Sequence, residues 1–305
     1  MKHCTDCDLY WLDPQPSPET LIKAYENYYT HEPPSLKKPK GIKKLKKQFR
    51  LTLLNALCGY TIKGVHQKYA KILSYLPILK TYALKSFGWL EGPHDTGKLL
   101  DYGCGNGSFL KQMQELGWDV SGIEFDQKSV DAAQNYFSIP VFIEDSQDAI
   151  FPKNSYDAVA MNHVIEHLKD PLKTLQSCHR ILCKGGQIVV TTPNANALGH
   201  RIFKQAWRGL EFPRHLFVFT PKSIRLLIEK AGFEVSEVRT LSRSARWMWI
   251  MSRQAKKKQW PVPHNYKEKN IRTKLTARFF QEIEALFSYF MPLGEELLII
   301  AKKYK

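Results

Sequence analysis

Between residues 33 and 90 there is no aspartate or glutamate, while twelve lysines and Arg50 fall in the same stretch. With no acids to pair with locally, that charge faces water or an anionic partner. Over all 305 residues, 45 Lys plus Arg stand against 29 Asp plus Glu, a formal net charge of +16. Nucleic acid, an anionic membrane surface or a phosphorylated substrate would suit that balance, and so would a plain lysine-rich surface. No apolar run reaches the roughly 18–20 residues of a membrane span. Met1–Leu12 carries Asp6 and Asp8 and no apolar core, so no secretory signal is read and a cytoplasmic protein is expected. Six cysteines (4, 7, 58, 104, 178, 183) lack any paired framework, which excludes a disulfide scaffold and fits reduced thiols. One CxxC, Cys4 with Cys7, has no second pair, although structural zinc takes four ligands.

Three regions differ in composition. Residues 1–32 hold the CxxC, a proline-rich turn (DPQPSP) and an aromatic helix candidate over Glu19–Tyr29. Residues 33–92 form the basic stretch, patterned as an amphipathic helical cap. From 93 to 305 the composition is balanced and the pattern regular. Strands are expected over Lys98–Tyr102, Asp119–Glu124, Pro140–Ile143, Tyr156–Met161 and Gln187–Thr192. Helices are expected over Ser108–Leu116, over Ser129–Phe137 and from Pro171, the last capped by Asp170. Thr220-Pro221 opens another helix that Gly232 ends, and Phe233–Val238 and Glu296–Ala301 read as late strands. This alternation predicts an α/β fold with a mainly parallel sheet, whose ligands lie at the carboxyl ends of the strands.

The stretch LLDYGCGNGSFL (Leu99–Leu110) reads as a buried strand, a glycine turn and a helix start. It lacks the lysine of a P-loop. Gly103, Gly105 and Gly107 are spaced GxGxG rather than GxGxxG. Asp101, two residues before the first glycine, would repel a pyrophosphate but suit a cationic ligand. Glu124, 21 residues after Gly103, ends the next strand, where an acid can take both hydroxyls of a ribose. A ribose and a cation in one ligand point to S-adenosylmethionine.

With GIEFD (Gly122–Asp126), FPKNSYDAVAMNHVIEHLKDP (Phe151–Pro171) and RILCKGGQIVVTTPN (Arg180–Asn194), the chain resembles the class I S-adenosylmethionine-dependent methyltransferases. Through its CxxC start and GHRIFKQAWRGLEFPRHLFVFTP (Gly199–Pro221) it resembles bacterial methyltransferases found with glycan-biosynthesis enzymes. More distantly it resembles the ubiquinone-pathway O-methyltransferases. The resemblance implies a Rossmann-like seven-stranded, mainly parallel sheet with an antiparallel last strand at Glu296–Ala301, plus the N-terminal helical cap. It implies S-adenosyl-L-methionine as cofactor, its methionine part against Asp101, Gly103, Cys104, Gly105, Asn106 and Gly107. Glu124 would hold the ribose and Phe125 would lie on the adenine. Asp145 and Ser146 would face the adenine edge, and Asn162 and His163 would line the transfer channel. Residues 199–221 would be the acceptor loop and 242–292 a helical insertion. In such relatives a longer start completes a zinc ribbon, of which Cys4 and Cys7 are half, so no zinc is expected.

Methyl transfer from a sulfonium is an in-line displacement with a neutral leaving group. Alignment dominates, supplying roughly 7–11 kcal/mol in favourable cases. A hydroxyl acceptor also loses a proton, and a positioned base adds about 10²–10⁴-fold. NHVIEH offers His163, Glu166 and His167 on one face of a helix. In the ubiquinone-pathway relatives the matching stretch, an acid, two apolar residues and Glu-His, is implicated in magnesium binding. Glu166 and His167 match, but His163 replaces the first acid, and magnesium prefers oxygen ligands. The expected catalytic residues are therefore His163, Glu166 and, from FPRHLFVF, His215, with no metal. A plainer reading has Glu166 and His167 fix a helix start and His215 face the core. Arg214 offers a fork for a phosphate or carboxylate. MNHV stands where base N-methyltransferases carry [DN]PPY, which favours an oxygen acceptor.

Lysine clusters alternating with apolar stretches, in the basic segment and again over Ala245–Trp260, suit a helix lying on anionic lipid. A cap with its lysines in water is the second reading and a nucleic-acid surface the third. The expected activity is O-methylation of a glycan-pathway or lipid-linked small molecule. The alternatives are a nucleic-acid methyltransferase and a cofactor-binding partner without transfer activity.

Overall fold

Leu99 and Leu100 are adjacent in an extended segment, and both are fully buried. A strand covered on both faces belongs in the middle of a parallel sheet. The computed structural model describes residues 1–25, 40–62, 77–85, 87–93, 96–143, 151–258, 262, 266–288 and 290–304. Asp145, Ser146, residues 26–39 and 63–76 of the aromatic and basic stretches, and Trp260 lie outside them.

The strands in chain order are β1 (Lys2–His3), β2 (Tyr10–Trp11), β3 (Lys98–Tyr102), β4 (Asp119–Glu124), β5 (Val141–Ile143), β6 (Tyr156–Asn162), β7 (Leu182–Pro193), β8 (Phe217–Val218), β9 (Glu234–Leu241) and β10 (Glu296–Lys302). The helices are α1 (Pro18–Tyr25), α2 (Ile42–Leu57), α3 (Pro77–Leu84), α4 (Ser108–Glu115), α5 (Gln127–Phe137), α6 (Pro171–Ile181), α7 (Leu198–Phe203), α8 (Pro221–Lys230), α9 (Ala245–Lys258) and α10 (Ile271–Phe287).

Seven strands form one sheet in the order β5-β4-β3-β6-β7-β10-β9. β3 runs parallel to β4 and β4 to β5, while β10 runs antiparallel to β9. This is the Rossmann-like sheet with an antiparallel last strand. Capping chemistry starts its helices. The Asp126 carboxylate accepts the Ser129 N–H at 2.8 Å, and the Asp170 carboxylate accepts the Lys173 N–H at 3.0 Å. Thr220 and Ser223 form a reciprocal capping box at α8.

The chain divides into two compact units. One comprises Met1–Tyr29, Met161–His179 and Val190–Lys305; the other comprises Thr30–Ala160 and Arg180–Val189. In the first, the N-terminal residues share a small antiparallel sheet with the 199–221 segment, in the order β1-β2-β8. Tyr10 pairs with Val218 and Trp11 with Phe217. The same unit buries Trp207 among Ala195, Ala197, Phe203, Leu210, Val218 and Met248. In the second unit, Leu110 and Met113 of α4 and Val130 and Ala133 of α5 are buried with β3 and β4.

Candidate functional site

In the second unit, β3 ends in a turn that only glycine makes without strain. Gly103, Gly105 and Gly107 have φ of 74°, 52° and 75°. A Cβ on Gly107 would lie 2.8 Å from that of Ala133, so glycine there also allows α4 to start against α5. The turn is tied to β4 by the Gly103 and Cys104 N–H groups, which donate to the Ile123 carbonyl. The Asn106 side-chain oxygen accepts the Ser108 hydroxyl at 2.7 Å. Cys104 is buried, and burial pushes its thiol well up. Its sulfur would lie 2.5 Å from a Cβ at Gly122, so the side chain packs beneath the turn.

Asp101 is buried, and its Oδ1 has no hydrogen-bond partner. Burial, with the Glu124 charge adding, pushes its carboxyl well above the ordinary range. Glu124 accepts the Gly105 N–H at 2.7 Å on one oxygen and the N–H groups of Phe125 (2.9 Å) and Asp126 (3.2 Å) on the other. Burial raises its pKa and those three donors oppose the rise. A carboxylate has about four acceptor sites, so Glu124 retains capacity for a further hydroxyl. Phe125 is 51% exposed at the strand end. A lone buried carboxylate beside a bare backbone turn, an acid with acceptor capacity and an open aromatic ring fit a ligand that is cationic, hydroxylated and planar in different parts.

In the first unit, the expected helix over His163–His167 is instead a 3₁₀ turn, Ile165–His167. Asn162 ends β6, and its side-chain oxygen accepts the Thr191 hydroxyl at 3.2 Å. His163 follows with a left-handed φ of 54°. Its Nε2 lies 3.0 Å from Glu296 and its Nδ1 3.4 Å from Glu166. Burial alone would lower the imidazole pKa, but the two carboxylates carry it up to about 10. The two carboxylates thus favour the imidazolium over the free base at His163. Burial would raise Glu166, yet the contact with His163 holds it well below the usual range.

Glu166 is fully buried. One of its oxygens accepts the Thr192 hydroxyl at 3.0 Å, while Oε1 has no hydrogen-bond partner. His167 Nδ1 lies 3.0 Å from the Arg214 carbonyl and 2.8 Å from the Tyr25 hydroxyl. His215 Nδ1 lies 2.7 Å from the Gly209 carbonyl. A carbonyl only accepts, so both Nδ1 atoms carry the proton and both Nε2 atoms keep a lone pair. Burial, with His167 adding, pushes His215 down to about 4, and burial lowers His167 as well. The two rings meet edge to face at 4.6 Å.

Arg214 is not free to bind an anion. Its guanidinium donates to Glu211 and to the Ala24 carbonyl. Tyr25, Glu211 and Glu296 were not singled out in the sequence. Glu211 has a weak signal, since Arg208, Glu211 and Arg214 recur at three-residue spacing. Cys4 and Cys7 are free thiols, and no third ligand joins them among the described residues.

The fold and the glycine turn define a nucleoside-binding α/β protein. A family profile described as Methyltransferase domain matches residues 67–238, and the chain belongs to that family. It is an enzyme of the methyltransferase class. The ubiquinone biosynthesis O-methyltransferase of Cereibacter sphaeroides is 30% identical over 167 residues, covering 51% of this chain and 68% of that protein. The same enzyme from Paracidovorax citrulli is 31% identical over 168 residues, covering 52% and 67%. Among solved structures, an S-adenosylmethionine-dependent methyltransferase from Archaeoglobus fulgidus overlaps with a TM-score of 0.47 at 19% identity, covering 77% of this chain and 100% of that one.

Proposed function

We propose that the protein transfers a methyl group from S-adenosylmethionine to an oxygen of a glycan-pathway or lipid-linked small molecule. The observation that carries the cofactor is the buried Asp101 carboxyl at the mouth of the glycine turn, whose Oδ1 has no hydrogen-bond partner. S-adenosylmethionine supplies a methyl carbon on a cationic sulfur that leaves as a neutral thioether. Asp101 offers the negative charge such a ligand needs, Glu124 accepts from the ribose and Phe125 covers the adenine. Ligand charge beside Asp101 favours its ionised form and so opposes the rise that burial and Glu124 impose on this carboxyl. Oxygen as acceptor is supported by the O-methyltransferases at 30% and 31% identity and by MNHV after β6.

A surface role accompanies this reading. No helix among the described residues is long and apolar enough to cross a membrane. Yet Ile42 and Leu45 of α2 are 70% and 69% exposed, and Phe49 is 48% exposed, among the exposed Lys43, Lys44, Lys46 and Lys47. An apolar stripe bordered by lysines suits an anionic bilayer surface, where an acceptor with a lipid tail would be found.

The cofactor reading is tested by titrating S-adenosylhomocysteine calorimetrically. Wild type should bind at micromolar concentration, Asp101→Ala should lose measurable binding, and Glu124→Ala should weaken it about tenfold or more. Wild-type affinity in both variants would refute it. Labelled methyl should enter the lipid or polysaccharide fraction of cell extract; label in RNA would instead support nucleic-acid methylation.

A further inference from the structure

We propose that Glu166, His167 and His215 form a mononuclear site for a divalent ion of the zinc class, with a coordination position left for water or another oxygen donor. One potential ligand atom from each residue lies within 4.8 Å of the other two, the one such group among the described residues. Ligands at about 2.0–2.2 Å from a tetrahedral ion sit about 3.3–3.6 Å apart, so small side-chain rotations close the site.

The surroundings are those of a prepared ligand set. Each imidazole spends its Nδ1–H on a backbone carbonyl, Arg214 for His167 and Gly209 for His215. That bond fixes the tautomer and leaves Nε2 as the ligating atom, the usual outer-shell arrangement of metal-bound histidine. Thr192 holds one Glu166 oxygen and leaves Oε1 buried without a hydrogen-bond partner. The charged neighbour of that oxygen is His163 at 3.4 Å, which makes no hydrogen bond to it, so Oε1 keeps acceptor capacity for a metal ion. The remaining charges nearby are matched. His163 approaches Glu166 Oε1 at 3.4 Å, but Glu296 takes its other nitrogen. Glu211 lies 3.6 Å from His215 Nε2 and is paired with Arg208 and Arg214.

The donor set decides which ion. Magnesium asks for about six oxygens in a near-ideal octahedron, and two of these three donors are imidazole nitrogens. The magnesium site implied by the ubiquinone-pathway resemblance therefore does not fit. His163, standing where those relatives have an acid, is committed to Glu296 and Glu166, and His215 from the 199–221 segment completes the set instead. Two imidazoles and one carboxylate suit zinc, or cobalt and iron in its place.

The test uses the full-length chain, stripped with chelator and dialysed against zinc. One zinc per chain is expected, held at micromolar free metal and not displaced by millimolar magnesium. Cobalt(II) should give the intense visible absorption of a four-coordinate ion. Cys4→Ser with Cys7→Ser should keep the metal, and His215→Ala and Glu166→Gln should each weaken it about 100-fold. His215→Cys should restore binding and add a sulfur-to-cobalt charge-transfer band, which keeps the test sound if the alanine variant folds poorly. No retained zinc in wild type, loss of zinc only in the cysteine variant, displacement by magnesium, or a cobalt spectrum unmoved by His215→Cys would each overturn the site.

Discussion

His163 holds a left-handed backbone conformation that costs a non-glycine residue of order 1–3 kcal/mol, so its surroundings must repay the strain. The repayment is electrostatic, because its ring joins Glu166 and Glu296, both carboxylates held well below their ordinary range. Arg243 donates to the second Glu296 oxygen at 2.6 Å, so Glu296 has other support and Glu166 depends more on His163. Asparagine tolerates a left-handed φ but carries no charge. His163→Asn should therefore destabilise the protein by about 2 kcal/mol in urea unfolding. That is less than the roughly 3–5 kcal/mol for breaking a fully buried pair, because the His163 side chain is 37% exposed. Adding Glu166→Gln should recover part of the loss, since it removes the stranded charge. A single variant within about 0.5 kcal/mol of wild type would show that the bridge contributes little.

Among the helices, α2 has two halves with different surroundings. Leu53 and Leu54 are fully buried, and Arg50 fixes the middle by donating to the Tyr82 and Ala83 carbonyls. The first two turns are exposed among the described residues, and Ile42, Leu45 and Phe49 lie on one side there by their spacing. Near an anionic surface each lysine contributes about 1 kcal/mol, and the apolar stripe adds burial. Leu45→Glu with Phe49→Glu should lower partitioning onto phosphatidylglycerol vesicles at least about tenfold while leaving S-adenosylhomocysteine affinity unchanged. Equal sedimentation with neutral vesicles, or an unchanged partition of the double variant, would remove the membrane role. The open half of α2 follows from a pattern visible in the chain, because lysines and apolar residues alternate at helical spacing. Its anchoring does not follow, because Arg50 reaches residues 32 and 33 positions away.

At the scale of the whole molecule, the strands β3 to β7 and their helices were legible because alternation and caps are local signals. The glycine turn was legible for the same reason: Asp101, the glycines and Glu124 stand at the ends of neighbouring strands. The histidine cluster was only half legible. His163 and Glu166 are three residues apart, but Glu296, 133 positions from His163, meets it only through folding. Stability is likewise set by distant pairs. Glu284 accepts the backbone N–H of Glu295 at 2.8 Å, and Glu295 accepts the Trp207 indole N–H at 2.6 Å. Both carboxyls are raised, first by burial, with the Glu295 charge adding for Glu284 and the Glu296 charge for Glu295. The folded state therefore keeps protons that the unfolded chain releases once pH exceeds the ordinary carboxyl range. Stability contributed by these protons is complete below that range and is lost as pH rises through neutrality. Glu284→Gln retains an oxygen for the Glu295 N–H and removes one of the two titrations. Relative to wild type, the variant should gain about 1–3 kcal/mol between about pH 5 and about pH 8.5 in urea unfolding. The comparison isolates the pair, because loss of the His163 proton also weakens the fold at alkaline pH and does so in both proteins. A difference between the two that does not change with pH would show that the pair is not protonated in the folded state.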